Sequence, residues 1–171
     1  MTYALGLLLV RLIIGLGIAI HGSQKLFGWF GGYGITGTGG FMESLGFRPG
    51  HIFAMAAGFG EFVGGILTLL GFLGPVGPAL IIATMLVAIF TVHIKNGFLA
   101  EHKGFEMPLL YIAGALAAAF TPGNTLSLDS AMGIAPFHDG TSIWIVVAAA
   151  VVAAVANFLL RRTGPAQGAP T

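Results

Sequence analysis

Apolar residues in this chain gather into long unbroken runs separated by short polar or glycine-rich stretches. Five runs approach the length of a membrane crossing: 3–20, 52–73, 76–94, 107–120 and 143–160. Roughly 20 such residues, rising about 1.5 Å each, cross a hydrocarbon core of about 30 Å. The pattern predicts an all-α integral membrane protein. The fourth run is short and carries Pro108 near its start, so by length alone it is also consistent with a buried or re-entrant helix. Gly74-Pro75 predicts a tight turn between the second and third runs. The stretch 22–50 is long, rich in glycine and aromatic (Phe27, Trp29, Phe30, Tyr33, Phe41, Phe47). It reads as a loop that lies at the interface or folds back between helices. Residues 164–170 read as a disordered tail.

Charge placement decides between four and five crossings. Short cytoplasmic loops collect Lys and Arg. With five spans, Lys25, Arg48, Lys95, Lys103, Arg161 and Arg162 share one side; removing the fourth span sends Arg161 and Arg162 to the other. The expectation is therefore five helices, N-terminus outside and C-terminus cytoplasmic. The first run lacks the basic start and small-residue cleavage site of a secretory signal, has Arg11 in its middle, and reads as a retained helix.

Composition narrows the function classes. The 171 residues are 56% hydrophobic and 8% charged with a net charge of +1, far below the roughly 25% charge of soluble domains. The scattered basic residues form no stripe for a phosphate backbone, so nucleic acid is not expected as a partner. The lipid bilayer is. With no cysteine, the chain has no disulfide, thiolate metal site or thiol relay of its own, and redox work would need a bound carrier. The five histidines lack zinc-motif spacing, and no metal site is expected. Gly32-Tyr33-Gly34-Ile35-Thr36-Gly37 matches a dinucleotide-binding string by composition alone, since no strand precedes it.

Helices in lipid associate through close packing and polar contacts, so small and ionisable residues mark the interior. Around Glu61, Ala57, Gly58, Gly64 and Gly65 share one helical face, with Gly60 and Gly64 forming GxxxG. By helical rise Glu61 lies about 15 Å deep and Arg11 about 10 Å from the opposite side. An Arg11–Glu61 pair is the expectation, either functional or simply pinning two helices; a protonated, hydrogen-bonded Glu61 is the alternative. The Val/Ala-rich segment 146–156 reads as a peripheral packing helix.

A second polar group gathers at the cytoplasmic ends: His21, Gln24 and Lys25 close span one, His93 and Lys95 close span three, and Glu106 opens span four with Tyr111 a turn deeper. Arg11, His21 and Lys25 fall within roughly 80° on a helix and can face one groove. Donors to a carbonyl, a histidine and an acidic relay suit a quinone head group or a small anion. Interfacial histidines and snorkelling lysines are the structural alternative, favoured for Lys95 and Lys103. His21 and His93 are also a conceivable axial pair for haem, but two histidines alone do not make a haem site, and none is expected.

These residues resemble the DoxX family of small membrane proteins. The resemblance runs from Leu9 to Asp129: Val10-Arg11-Leu12 with Gly15; His21-Gly22-Ser23-Gln24-Lys25-Leu26-Phe27-Gly28; Glu61 with Gly64-Gly65; His93 with Gly97-Phe98; Glu106 with Tyr111; and Pro122-Gly123 through Ser127-Leu128-Asp129. It implies a four-helix membrane core over 1–129, leaving 130–171 as an added helix and tail. It also implies a bacterial inner-membrane protein associated with quinone-coupled redox chemistry, as a subunit of an oxidoreductase. The alternative is a non-catalytic accessory or scaffold subunit docked on other membrane proteins of a respiratory or photosynthetic complex. A small-anion transporter is a third class, but no inverted repeat supports it.

Overall fold

The computed structural model describes residues 1–122 and 125–162. The expected disordered tail lies outside the described residues. Among the described residues seven α-helices follow in order: α1 (Thr2–Leu26), α2 (Gly34–Ser44), α3 (Gly50–Leu70), α4 (Val76–Ala88), α5 (Glu106–Ala119), α6 (Leu128–Met132) and α7 (Gly140–Leu159). Beyond Ala88, α4 widens into a π-helical turn over Ile89–His93 and ends in a 3-10 turn over Ile94–Asn96. Among the described residues there is no strand. Among the described residues four helical stretches are long and apolar enough to cross a membrane: α1, α3, the run Val76–Asn96 and α7. The fourth expected span, α5, has 14 residues.

Glycines set how closely the helices approach. A Cβ at Gly15 would stand 2.7 Å from Gly65 O and Leu69 N, and Gly22 meets the backbone of Phe62 and Gly58. Helices α1 and α3 thus pack antiparallel with almost no side chain between them, the device expected where burial of apolar surface gains little. On another face of α3, Gly60 meets Thr84 and Gly64 meets Leu80 and Gly77, which fixes the α3–α4 hairpin. Gly17 beside Tyr111 and Gly114 beside Ile14 make α5 antiparallel to α1. Ring contacts Phe120–Trp144 and Phe90–Phe158 orient α7 from the end of α5 back to the end of α4. The five long helices therefore alternate in direction, with Ile18, Ile81, Ile112 and Ala150 in a shared core.

That alternation brings the basic segments to one end. Arg161 Nε donates to Leu45 O, the Arg162 amide donates to Gly46 O at 2.8 Å, and His93 Nδ1 lies 2.7 Å from Lys103 O. At the opposite end Asp139 caps α7, accepting from the Ser142 amide at 2.9 Å. Hydrogen bonds from Ser142 hold this carboxyl below its usual range.

The stretch 22–50 departs from a loop. Helix α1 continues to Leu26, so His21–Leu26 lies inside the helix rather than terminating it, and α2 occupies Gly34–Ser44. Four glycines in α2 argue against a helix by propensity. Packing overrides them, because Gly39 lets α2 lie directly against the backbone of Gly50 and His51.

Candidate functional site

Glu61 is held by the small residues around it. With Gly58 and Gly65 against α1 and Gly60 and Gly64 against α4, α3 is clamped on two sides and Glu61 is 1% exposed. Its Oε1 accepts from Lys25 Nζ. The Lys25 Cβ lies at the level of Gly58, three residues before Glu61 on α3, and its side chain reaches from there to the carboxylate. Glu61 Oε2 is buried and has no hydrogen-bond partner among the described residues.

Lys25 and Glu61 form part of the wall of a cavity of about 370 Å³ bounded by α1, α2, α3, α4 with its π-turn, and α7. Its lining is mainly apolar, including Phe41, Met42, Phe53 and Val87. Two threonines in the wall have spent their hydroxyls on their own helix: Thr84 donates within 3.0 Å of Leu80 O and Ile81 O, and Thr91 donates to Val87 O at 2.7 Å. The other polar side chains of the wall are the Lys25–Glu61 pair, Thr38, His93 and Asn157. Of the residues singled out from sequence, Lys25, Glu61 and His93 line this one space.

The other four lie elsewhere. His21 Nδ1 is 3.1 Å from Gln24 Oε1, and Gln24 Nε2 donates to Phe30 O at 3.2 Å, tying the loop after α1 back onto the helix. The His21 ring meets Tyr111 edge-on at 6.1 Å, on the α5 side of α1. Glu106 Oε2 accepts from the Ala100 amide at 2.8 Å and closes the loop before α5. The 80° arc that suggested a common groove is wide enough to divide between two neighbours: Lys25 turns to α3 and His21 to α5. His21 and His93 consequently stand in different surroundings. Among the described residues no group of three His, Asp or Glu side chains is placed to hold a metal ion.

The expected Arg11–Glu61 pair does not form. The contacts Gly15–Gly65 and Gly22–Gly58 fix the slide of α1 along α3 and put Arg11 level with Leu69, eight residues or about 12 Å from Glu61. Arg11 is 5% exposed and binds two C-terminal carbonyls of α3, Nε donating to Thr68 O at 3.1 Å and Nη2 to Leu69 O at 3.3 Å, while Nη2 also donates to Leu126 O, just before α6, at 3.0 Å. A guanidinium at the negative end of a helix dipole is favourably placed. It shares a polar cavity of about 20 Å³ with Asp129, which is 1% exposed. Asp129 accepts from the amides of Leu73 at 2.9 Å and Gly74 at 2.8 Å, and His138 Nε2 lies 3.5 Å from it. Sequence reasoning missed the roles of Asp129 and His138. The available signal was an aspartate following an ionisable pattern in an apolar chain, but its target is a turn 55 residues away.

Comparisons with known proteins agree with this architecture. No solved structure matches. A curated protein of Bacillus subtilis (strain 168), named "Putative oxidoreductase CatD", is 29% identical over 128 residues, covering 75% of this chain and 87% of the relative. The sequence model of the DoxX family matches residues 6–94. That segment runs from the start of α1 through His93 and contains Arg11, Lys25 and Glu61, the ionisable residues around which the bundle is built. On this match over more than half its length, the chain belongs to the DoxX family of membrane proteins.

Proposed function

We propose that this protein is a membrane-embedded subunit of a redox system that binds a quinone-class ligand in the cavity between α2, α3, α4 and α7. One observation carries the reading: a buried carboxylate paired to a lysine on one oxygen, with the other oxygen unpartnered, in the wall of an otherwise apolar space of about 370 Å³. Ionisable groups inside a membrane protein are costly and mark functional sites by default. The volume falls within the range of small-molecule sites, which combine apolar walls with a few placed polar groups. The relative's name, an oxidoreductase, supports the reaction class.

A quinone, when bound, supplies exchange of two electrons and two protons. Lys25 Nζ offers an N–H to a ligand carbonyl oxygen beside its bond to Glu61. Glu61 Oε2 accepts a hydrogen bond from a ligand hydroxyl, or holds a proton and donates it. The apolar walls exclude water and strengthen both interactions. Residues 1–129 supply most of this cavity, and we assign 130–162 as an added unit that completes its wall through α7. We place the protein in a bacterial inner membrane with its basic end cytoplasmic.

Purification from native membranes in mild detergent, followed by solvent extraction, tests the reading. The expected result is quinone in near-stoichiometric amount in the wild type and its loss in Glu61→Gln. Absence of quinone, with no binding of added quinone, overturns it and leaves the accessory-subunit reading. Migration as a lone chain in native gels would count against that second reading.

A further inference from the structure

The cavity is not walled on every side. Three residues of its lining, Phe41 on α2, Ala56 on α3 and Ala153 on α7, are also exposed on the surface of the bundle. Among the described residues α7 packs on α4, and no comparable packing joins it to α3 or α2. The cause is local. The first half of α7 seats Ile143 and Val147 against Ala119 of α5, whereas its last turns line the cavity with Ala153, Ala154 and Asn157, and α3 lines it with Ala56 and Ala57. Alanines on two helices that do not meet leave a gap between them.

The gap lies at the depth of acyl chains. Ala56 stands six residues inside the start of α3 and Ala153 six residues before the end of α7, each about 9 Å by helical rise. Both helices are long and apolar enough to cross the hydrocarbon core. The surface around the gap is apolar too: Ile52 and Phe59 flank Ala56, and Val152 and Val155 flank Ala153, all of them exposed. Toward the basic loops the cavity is shut. There Phe47 is 1% exposed with its ring 5.0 Å from that of Phe53, and Arg161 and Arg162 bond to the carbonyls of Leu45 and Gly46, joining the end of α7 to the α2–α3 turn. Inward from the gap, Ala57 lies one turn before Glu61 on the same face of α3.

We propose that the ligand is an amphiphile taken from the bilayer itself: its polar ring passes between α3 and α7 to reach Lys25 and Glu61, and its hydrocarbon chain stays in the opening beside Phe41, Ala56 and Ala153. This rests on the quinone reading of the cavity and narrows it to quinones that carry a chain. Measured per lipid, the chain adds little affinity, because it leaves one apolar surrounding for another. Its effect is on what the opening must accommodate.

Two measurements on the full-length protein in lipid nanodiscs test the proposal. In a chain with no native cysteine, Ala56→Cys and Ala153→Cys each carry a single nitroxide. Relaxation of that nitroxide by oxygen, which concentrates in lipid, is compared with relaxation by a water-soluble nickel chelate. Oxygen should dominate at both positions and nickel at Lys95→Cys, which is exposed at the basic end. Nickel dominance at either cavity position overturns the opening to lipid. The second measurement titrates two quinones with the same ring, one bearing a decyl chain and one a methyl group in its place. The wild type should bind both within about three-fold per lipid. Ala153→Trp and Ala56→Trp place bulk across the opening and should weaken the decyl probe about ten-fold or more and the methyl probe less than about three-fold. Equal loss of both probes in both variants, or no loss of either, overturns the path of the chain while the quinone reading stands. If neither probe binds the wild type, the quinone reading fails and the assigned ligand fails with it, whatever the nitroxides report.

Discussion

A carboxylate in the bundle interior is tolerable only while its lysine is present. Lys25→Met leaves Glu61 buried without its counter-charge, and breaking a buried pair from one side is strongly destabilising. Because the Lys25 side chain is 29% exposed, the expected cost is reduced to about 2–3 kcal/mol. Adding Glu61→Gln to that variant should restore part of the loss, since no uncompensated charge remains. Thermal unfolding in mild detergent across the four members of this double-mutant cycle gives the coupling directly. At the other polar layer, Gly71 has φ +61°, and a Cβ there would stand 2.5 Å from Arg11 Cζ. Gly71→Ala therefore combines left-handed strain with displacement of the guanidinium from three carbonyls, and should cost about 2 kcal/mol or more. The ionisable residues of both layers were legible in the sequence, because charge in an apolar run stands out. Their partners were not. Pairing depends on how far one helix slides along another, and that slide is fixed by Gly15 on Gly65 and Gly22 on Gly58, contacts between distant segments.

At the scale of elements, glycine substitutions should divide by position rather than by helix. Gly65→Ala forces a Cβ to 2.6 Å from Ala19 N and Gly15 O, both backbone atoms that cannot swing aside. It should push α1 from α3 and cost about 1–3 kcal/mol. Gly6→Ala, in the same helix pair but with nothing within 4 Å, should be neutral or stabilising by up to about 1 kcal/mol through helix propensity. The measured unfolding midpoint should fall for Gly65→Ala and hold or rise for Gly6→Ala; equal shifts would mean that the α1–α3 contact is looser than described. The apolar runs announced α1, α3, α4 and α7, because twenty apolar residues have few alternatives in lipid. Helix α2 was not legible. Its glycines and aromatics carry loop composition, and only the neighbouring start of α3 gives Gly39 a reason to be helical.

For the whole molecule, we propose that the 14-residue α5 crosses the membrane beside the four longer spans. The cysteine-free chain permits a clean topology test with single cysteines at exposed positions on either side of α5, Lys103→Cys and Met132→Cys. A membrane-impermeant maleimide applied to intact cells should label the second and reach the first only after lysis. Labelling of both, or of Lys103→Cys alone, would reverse the assigned orientation or remove the crossing. The sequence signal for this crossing is the charge distribution, because omitting one span moves Arg161 and Arg162 to the other side of the membrane. The cavity was not legible, because its walls come from five helices, α1, α2, α3, α4 and α7, that are distant along the chain. The short length of α5 carries one more implication. Fourteen residues rise about 21 Å, some 9 Å less than a typical hydrocarbon core. With α5 as a span, lipid beside it is expected to thin to meet it, at a cost that grows with each ångström of mismatch. A crossing α5 therefore predicts a preference for thinner bilayers: reconstitution into progressively thicker vesicles should lower stability first along the α5 flank.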